Sequence, residues 1–196
     1  FPHAAPSLEV PPRPAGVPLR VAFFGTLAPH KGPHVLLDAI ARLPAAMPLA
    51  FLICGGDGPD TDYAAGIRAR AAALGRVDVR PPVPHSAFGA LMAEADVVVL
   101  PSLWEENRPL VLLGALEAGR YVLASDMPGL AVFPAPEGGR FFPPGDDAAL
   151  AGLLAHLAGD GEPVRRVRDR PALAPAFPAY VRAVEAHLAA AAEARP

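Results

Sequence analysis

The sequence predicts an α/β fold: a Rossmann-like three-layer α/β/α domain with a parallel sheet of about six strands. Short apolar runs of strand length alternate along the chain with longer segments whose apolar residues follow the helical period. Several runs, such as Leu19–Phe24, Leu49–Cys54 and Val97–Leu100, are nearly continuous in apolar residues, which is typical of strands covered on both faces. Strands that alternate with helices form βαβ units, and such units give a parallel sheet with helices on both sides.

The first half of the chain contains three predicted strands, each followed by a helix. Gly25 and Thr26 end the first strand, a glycine cluster at 55–58 ends the second, and Gly75 ends the second helix. The elements expected here are strands at Leu19–Phe24, Leu49–Cys54 and 77–79, and helices at 35–43, 62–74 and 86–93, the last capped by Ser86.

The second half continues the alternation. Pro109 suits the first turn of a helix because its missing N–H has no partner there anyway, and Asn107 or Arg108 stands where the cap belongs. Gly119 ends this helix. The elements expected here are strands at Val97–Leu100, 121–124 and 140–142, and helices at 110–118, 147–157 and 177–193.

Composition predicts a globular domain and excludes several other classes. Hydrophobic residues make up 52% and charged residues 19% of the 196 residues, which is enough to build a core. Residues 1–18 are proline-rich and are interpreted as a linker or N-terminal extension, so the domain is expected to span 19–196. The net charge of −3 gives no reason to expect nucleic-acid binding, and the single Cys54 excludes an internal disulfide. No run reaches the roughly 18 apolar residues of a membrane helix and no secretion signal is recognisable, so a cytoplasmic location is expected.

Three loops are expected to converge at one edge of the sheet. The segments 25–26, 55–58 and 102–108 each follow a strand, and ligands of parallel sheets bind beyond the carboxyl ends of the strands. The glycine cluster is either a cradle for a phosphate or nucleobase or only a tight turn. Lys31, just before a helix, either pairs with a diphosphate or is a solvated surface lysine. The scattered histidines lack metal-ligand spacing, so no metal site is predicted.

The loop after strand Val97–Leu100 carries the most chemistry. Glu105 and Glu106 form either an acidic site or a solvated loop, and the adjacent Trp104 is interpreted as a packing residue. The predicted helix that follows directs free N–H groups and its positive dipole end toward this loop, and both favour an anion. Together the strand, the acidic loop and the helix N-terminus predict a binding site.

Five motifs occur in order and at fitting intervals. They read F-F-G-T-L-A-P-H-K-G at 23–32, I-C-G-G-D-G-P at 53–59, A-D-V-V-V-L-P-S-L-W-E-E-N-R-P-L-V-L-L at 95–113, A-G-R-Y-V-L-A-S-D at 118–126 and G-G-R-F-F-P-P-G-D at 138–146. Over about residues 19–157 the chain resembles the C-terminal, donor-binding domain of the group 1 glycosyltransferases, family 4, which are retaining enzymes of GT-B fold. The resemblance implies that this domain binds a nucleotide-diphosphate sugar, UDP- or GDP-linked, without a metal. It also implies an N-terminal acceptor-binding domain as partner, a fragment that transfers nothing alone, and the option of peripheral attachment to the inner membrane through that domain.

The resemblance assigns roles to individual residues. It implies that Glu106 contacts the transferred sugar as the candidate catalytic residue, and that Lys31 contacts the diphosphate. Gly56 and Val83 would contact the base through their backbones, and Leu110 and Val111 would contact the diphosphate through their N–H groups. The full set of other residues placed at the donor is Gly25, Thr26, Gly56, Val83, Asn107, Leu110 and Val111.

The chain departs from the family pattern at three positions. Thr26 replaces an arginine that would form a bidentate charged contact, a loss of roughly 1.5–3 kcal/mol of binding. Gly114 stands where the resemblance places a second acid, which holds the ribose. Glu117 is the next acid in the helix, but it lies three residues later, roughly 4.5 Å further from the N-terminal end of the helix. Ala131 stands where a third acid is expected. Two functions therefore remain open: the donor half of a glycosyltransferase that holds its donor differently, or a degenerate, non-catalytic scaffold or partner domain. A sugar-nucleotide epimerase is disfavoured because neither G-x-G-x-x-G nor Tyr-x-x-x-Lys is present.

Overall fold

The computed structural model describes residues 17–106, 110–127, 130, 138–161 and 163–164. In these residues six parallel strands form one sheet, which confirms the predicted fold class. The strands are β1 (Leu19–Phe24), β2 (Leu49–Cys54), β3 (Val77–Arg80), β4 (Val97–Leu100), β5 (Tyr121–Ser125) and β6 (Gly139–Phe142), and the α-helices are α1 (Pro33–Arg42), α2 (Thr61–Leu74), α3 (His85–Glu94), α4 (Leu110–Glu117) and α5 (Asp147–Gly159).

The strand order of the sheet is β3-β2-β1-β4-β5-β6. The chain builds outward from β1 to β2 and β3, and then returns to the other side of β1 with β4. β1 therefore pairs with β2 from Leu19↔Leu49 to Phe24↔Cys54 and with β4 at Val21↔Val97 and Ala22↔Val98. This reversal is the switch point of the strand order, and in such sheets ligands bind in a crevice that is expected beyond the carboxyl ends of the strands there, β1 and β4.

Successive residues of the central strands enter two separate cores, one on each face of the sheet. Val21 and Phe23 pack into the first core with α1, α2 and α5, while Ala22 and Phe24 pack into the second core with α3 and α4. Because both sides of each strand are buried, the strand sequences show continuous apolar runs instead of alternation. This arrangement is the predicted three-layer architecture.

Helix boundaries follow from local chemistry. Asp60 caps α2 by accepting a hydrogen bond from the Tyr63 amide, and Gly75, with φ of 65°, ends that helix in the left-handed region. The predicted cap at Ser86 is wrong, because α3 begins one residue earlier, directly after Pro84, and has no side-chain cap.

Some expectations fall outside the described residues. These are the residues 1–16 of the expected linker, the cap and first-turn residues Asn107, Arg108 and Pro109, the position Ala131, and the helix 177–193. The division of the chain into a linker and a domain at 19–196 stays a prediction.

Candidate functional site

Backbone hydrogen bonds join the three loops at the carboxyl edge of the sheet. The Gly25 amide donates to the Cys54 carbonyl (3.1 Å) and the Leu27 amide donates to the Gly56 carbonyl (2.8 Å), so the loops after β1 and β2 run side by side. The loop after β4 joins them through a third bond, from the Leu103 amide to the His30 carbonyl (2.8 Å). The convergence that the sequence predicted is thus built into the backbone.

Two glycines permit this close approach. A Cβ on Gly55 would lie 1.8 Å from the Gly25 carbonyl oxygen. Gly32 has a φ of +68°, and a Cβ there would lie 1.9 Å from the Pro101 carbonyl oxygen. Both are far below any possible contact distance, so each position requires glycine for packing alone. Gly55 is thus required by the close approach of two loops, and the choice between a ligand cradle and a tight turn stays a prediction.

Lys31 and Glu106 form an ion pair across the crevice. Lys31 ends a short 3₁₀ turn, Pro29–Lys31, which lies between β1 and α1. Its ammonium donates to Oε1 (2.7 Å) and Oε2 (2.9 Å) of Glu106, in the loop after β4. The Lys31 side chain is 31% exposed and that of Glu106 is 15% exposed, so water screens their attraction only in part. The structure therefore brings together two of the predicted site residues, 75 positions apart in the chain.

Ser102 is the third member of this cluster and contacts Glu106 from the end of β4. Its hydroxyl donates to Oε1 of Glu106 (2.8 Å), and the residue is buried at 3% exposure. Ser102 follows the last residue of β4 by two positions, so the sheet fixes its place. Sequence reasoning did not select it as a site residue, although a hydroxyl four positions before an acid, at the end of a buried strand, was visible in the sequence.

Lys31 is also the only lysine of the chain, whereas the cations together number 17. It lies two residues before α1, where the positive end of the helix dipole disfavours a cation. The Glu106 carboxylate offsets that unfavourable position. The cation and the acid therefore depend on each other electrostatically.

The other predicted donor residues within the described ranges lie in the loops after β1, β2 and β3 or in the first described turn of α4. Thr26 is exposed and lies beside Gly58. Gly56 is half-buried, and a Cβ added there would lie 3.4 Å from Cγ of Pro82. Val83 is half-buried and packs against the second core. Leu110 is 68% exposed at the first described residue of α4, and Val111 is half-buried.

Gly114 faces an aromatic ring of α3. A Cβ on Gly114 would lie 3.3 Å from Cε1 of Phe88 and 3.7 Å from Cε of Met92. The Phe88 ring packs edge-to-face on Phe24, with centroids 5.6 Å apart. A side chain at this position, where the family pattern has an acid, would thus meet apolar side chains of α3.

Trp104 does not pack into the protein. It is 72% exposed, and its neighbour Leu103 is 38% exposed, so the interpretation of Trp104 as a packing residue is wrong. The loop leaves the sheet at Ser102 and turns these two side chains outward, two residues from Glu106.

A second polar pair lies nearby. Nδ1 of His34, in the first turn of α1, lies 2.6 Å from the hydroxyl of Tyr63, in the first turn of α2. Burial lowers the pKa of His34 and raises the pKa of Tyr63, so it favours the neutral form of both groups. The sequence offered no signal for this pair, since its members are 29 positions apart on different helices.

The described ranges contain no group of three or more His, Cys, Asp or Glu side chains placed to hold a metal ion. No helix among them is both long and apolar enough to cross a membrane.

A family model, curated relatives and solved structures all relate this chain to glycosyltransferases. The family of glycosyl transferases group 1 matches residues 12–170. A D-inositol 3-phosphate glycosyltransferase of Corynebacterium efficiens is 37% identical over 160 residues, which are 76% of this chain and 38% of the relative. A phosphatidyl-myo-inositol mannosyltransferase of Mycobacterium leprae is 34% identical over 159 residues, 77% of this chain and 41% of the relative.

Solved structures have the same fold. The structure of Anabaena Alr3699/HepE in complex with UDP-glucose superimposes with a TM-score of 0.69 and 25% identity, over 80% of this chain and 44% of that one. The chain spans about two fifths of the length of the curated relatives it matches.

Proposed function

The chain belongs to the group 1 glycosyltransferases, and from its site we propose that it is the donor-binding domain of a retaining glycosyltransferase. In this proposal it holds a nucleotide-diphosphate sugar. A further, N-terminal domain holds the acceptor, so that this chain alone binds the donor but transfers nothing. The observation that carries the proposal is the Lys31–Glu106 pair at the crevice between β1 and β4.

The pair supplies the two kinds of group that a sugar diphosphate requires. The Lys31 ammonium is a compact point charge with three donors, and it offsets the negative charge that grows on the leaving diphosphate during transfer. The Glu106 carboxylate accepts hydrogen bonds and orients hydroxyl groups of the transferred sugar. Backbone N–H groups of Leu110 and Val111, in the first described turn of α4, add donors for the diphosphate.

Two comparisons support this ligand class. The Anabaena structure contains UDP-glucose, and the curated relatives are named for the transfer of glycosyl or mannosyl groups to inositol-containing acceptors. We extend the ligand class, a nucleotide-diphosphate sugar, to this chain. We propose no metal cofactor, so binding is expected to persist in EDTA.

A second candidate is a non-catalytic scaffold with the same fold. The surroundings of Gly114 favour it, because a side chain at this position, where the family pattern places an acid, would meet the apolar ring of Phe88. Thr26 favours it as well, since a threonine cannot replace an arginine as a charged, bidentate partner.

Calorimetric titration of the chain with UDP, GDP and ADP separates the two candidates. Dissociation constants from about 1 µM to a few mM for one nucleotide, weakened at least about tenfold in Lys31→Ala, are expected if the site is functional. Arg42→Ala is the matched control, because it removes a cation that pairs with Asp147, away from the crevice. If a chain with an intact circular dichroism spectrum binds none of the three, the scaffold is the better description.

A further inference from the structure

The geometry of Glu106 suggests more than a sugar contact. Among the described residues, its Oε1 accepts from both Lys31 and Ser102, whereas its Oε2 accepts from Lys31 alone. The two oxygens are therefore not equivalent. If the ammonium turns away, Oε1 keeps a partner and Oε2 is released.

Ser102 can hold Oε1 without help from Lys31. It is 3% exposed at the end of β4, and the loop around it is fixed on two sides. Pro101 packs its carbonyl against Gly32, and the Leu103 amide donates to the His30 carbonyl. The hydroxyl thus belongs to the rigid part of the site, and Glu106 remains in place when its other partner moves.

The ion pair also acts on an incoming anion. The ammonium and the carboxylate together carry no net charge, and they are in direct contact in a partly desolvated place. A diphosphate that approaches Lys31 meets the repulsion of Glu106 at nearly the same distance. Glu106 therefore competes with the diphosphate for Lys31.

From these contacts we infer that donor binding exchanges the partner of Lys31. The inference rests on the proposed function. The diphosphate takes the ammonium, Ser102 retains Glu106 through Oε1, and the released Oε2 accepts a hydrogen bond from a hydroxyl of the donor sugar. Ser102 is the positioning residue of this exchange.

The exchange has a consequence for selectivity. A nucleotide diphosphate without a sugar opposes the Lys31–Glu106 pair and gives Oε2 no new partner. A nucleotide sugar opposes the same pair and provides a hydroxyl for Oε2. The site thus favours the donor over the nucleotide that transfer leaves behind, and Glu106 assists release of that nucleotide by reclaiming Lys31.

The test compares UDP with UDP-glucose in calorimetric titrations of the wild-type chain, Glu106→Gln and Ser102→Ala. We expect Glu106→Gln to bind UDP about fivefold more tightly, because the competing charge is gone, and to lose the additional affinity that glucose provides. Ser102→Ala is expected to keep the UDP affinity within about twofold while the ratio of UDP-glucose to UDP affinity falls about threefold. A protein in which Ser102 only supported folding would lose both affinities together.

Glu105→Gln is the matched control, since it removes the same charge from the neighbouring, exposed residue of the same loop. It is expected to change neither affinity more than about twofold. Because Lys31 is the only lysine, the NMR resonance of its side-chain ammonium reports the exchange directly. UDP is expected to shift that resonance in the wild type, and Glu106→Gln is expected to shift it without any ligand.

The outcomes distinguish a failure of the proposed function from a failure of the exchange alone. If the wild type binds none of UDP, GDP and ADP, the proposed function fails and the exchange fails with it. If the wild type binds UDP but Glu106→Gln binds it no more tightly, the exchange is refuted while the donor site stands. If GDP or ADP is the nucleotide bound, the same comparison is made with that nucleotide and its glucose derivative.

Discussion

The substitution Gly55→Ala tests whether the site is built by the direct contact of its loops. The φ of Gly55 lies outside the left-handed region, so alanine meets no backbone strain there. The added Cβ would nevertheless lie 1.8 Å from the oxygen and 2.8 Å from the carbon of the Gly25 carbonyl. The loops after β1 and β2 must therefore move apart by about 1.5 Å before the methyl group fits.

The cost of this separation follows from the contacts it disturbs. The bonds from the Gly25 amide to the Cys54 carbonyl (3.1 Å) and from the Leu27 amide to the Gly56 carbonyl (2.8 Å) join the same two loops, and both lengthen beyond bonding distance. Each contributes about 1 kcal/mol to stability. Overpacking against a rigid backbone adds about 1–3 kcal/mol of strain. We expect the free energy of unfolding to fall by about 4 kcal/mol, a large part of the total for a domain of this size.

Urea unfolding monitored by circular dichroism measures this change. Gly66→Ala is the matched control, because Gly66 lies in α2 with nothing within 4 Å of the added Cβ. That control is expected to raise the free energy of unfolding by up to about 1 kcal/mol through helix propensity. If Gly55→Ala unfolds within about 1 kcal/mol of the wild type, the two loops are not held in the described contact and the argument for a preformed site is refuted.

Three further substitutions test other features. The wild type is expected to lose stability as the pH falls from about 7 to 5, because burial lowers the pKa of His34 and the unfolded chain takes up the proton first. His34→Gln should reduce the dependence of the free energy of unfolding on pH in this range, as measured by urea unfolding. An equal slope of that free energy against pH in both proteins would contradict the prediction. Gly114→Glu is expected to lower the unfolding temperature, since its Cβ would lie 3.3 Å from Phe88, and the loss should be smaller when the substitution is made in a Phe88→Ala protein; an unchanged melting curve would contradict the contact. Asp146→Ala is expected to cost about 1 kcal/mol in urea unfolding, because the carboxylate caps α5 by accepting from the Ala149 amide (2.8 Å), whereas Asp146→Asn should stay near the wild type.

The sheet could be predicted from the sequence because its strands are buried on both faces. Leu49–Cys54 has the predicted bounds, since glycines and a proline interrupt the apolar run at its end. Helix starts were harder to predict. Ser86 is a good capping residue, yet α3 starts directly after Pro84, whose extended conformation already sets the direction of the chain.

The contacts within the site could not be predicted in the same way. Lys31 and Glu106 were each selected from motifs, but their pairing depends on β1 and β4 being neighbours, which only the strand order establishes. Trp104 was misjudged because an aromatic residue near a buried strand is usually part of the core. Its exposure is set by the path of the loop, which its local sequence does not determine.

The glycines of the site and its ion pair differ in whether they help to distinguish a donor site from a scaffold. Gly32 and Gly55 are required by contacts with the Pro101 and Gly25 carbonyls, so any protein with this packing needs them whether or not it binds a nucleotide. The Lys31–Glu106 pair is not required in that sense. A partly exposed ion pair contributes only about 0–1 kcal/mol to stability, and a lysine near the start of α1 is disfavoured by the helix dipole. A scaffold domain would gain little stability from this arrangement, whereas a domain that binds a diphosphate needs a cation here. The experiments on Lys31 and Glu106 therefore decide between the two functions, whereas experiments on the glycines test only whether the loops pack as described.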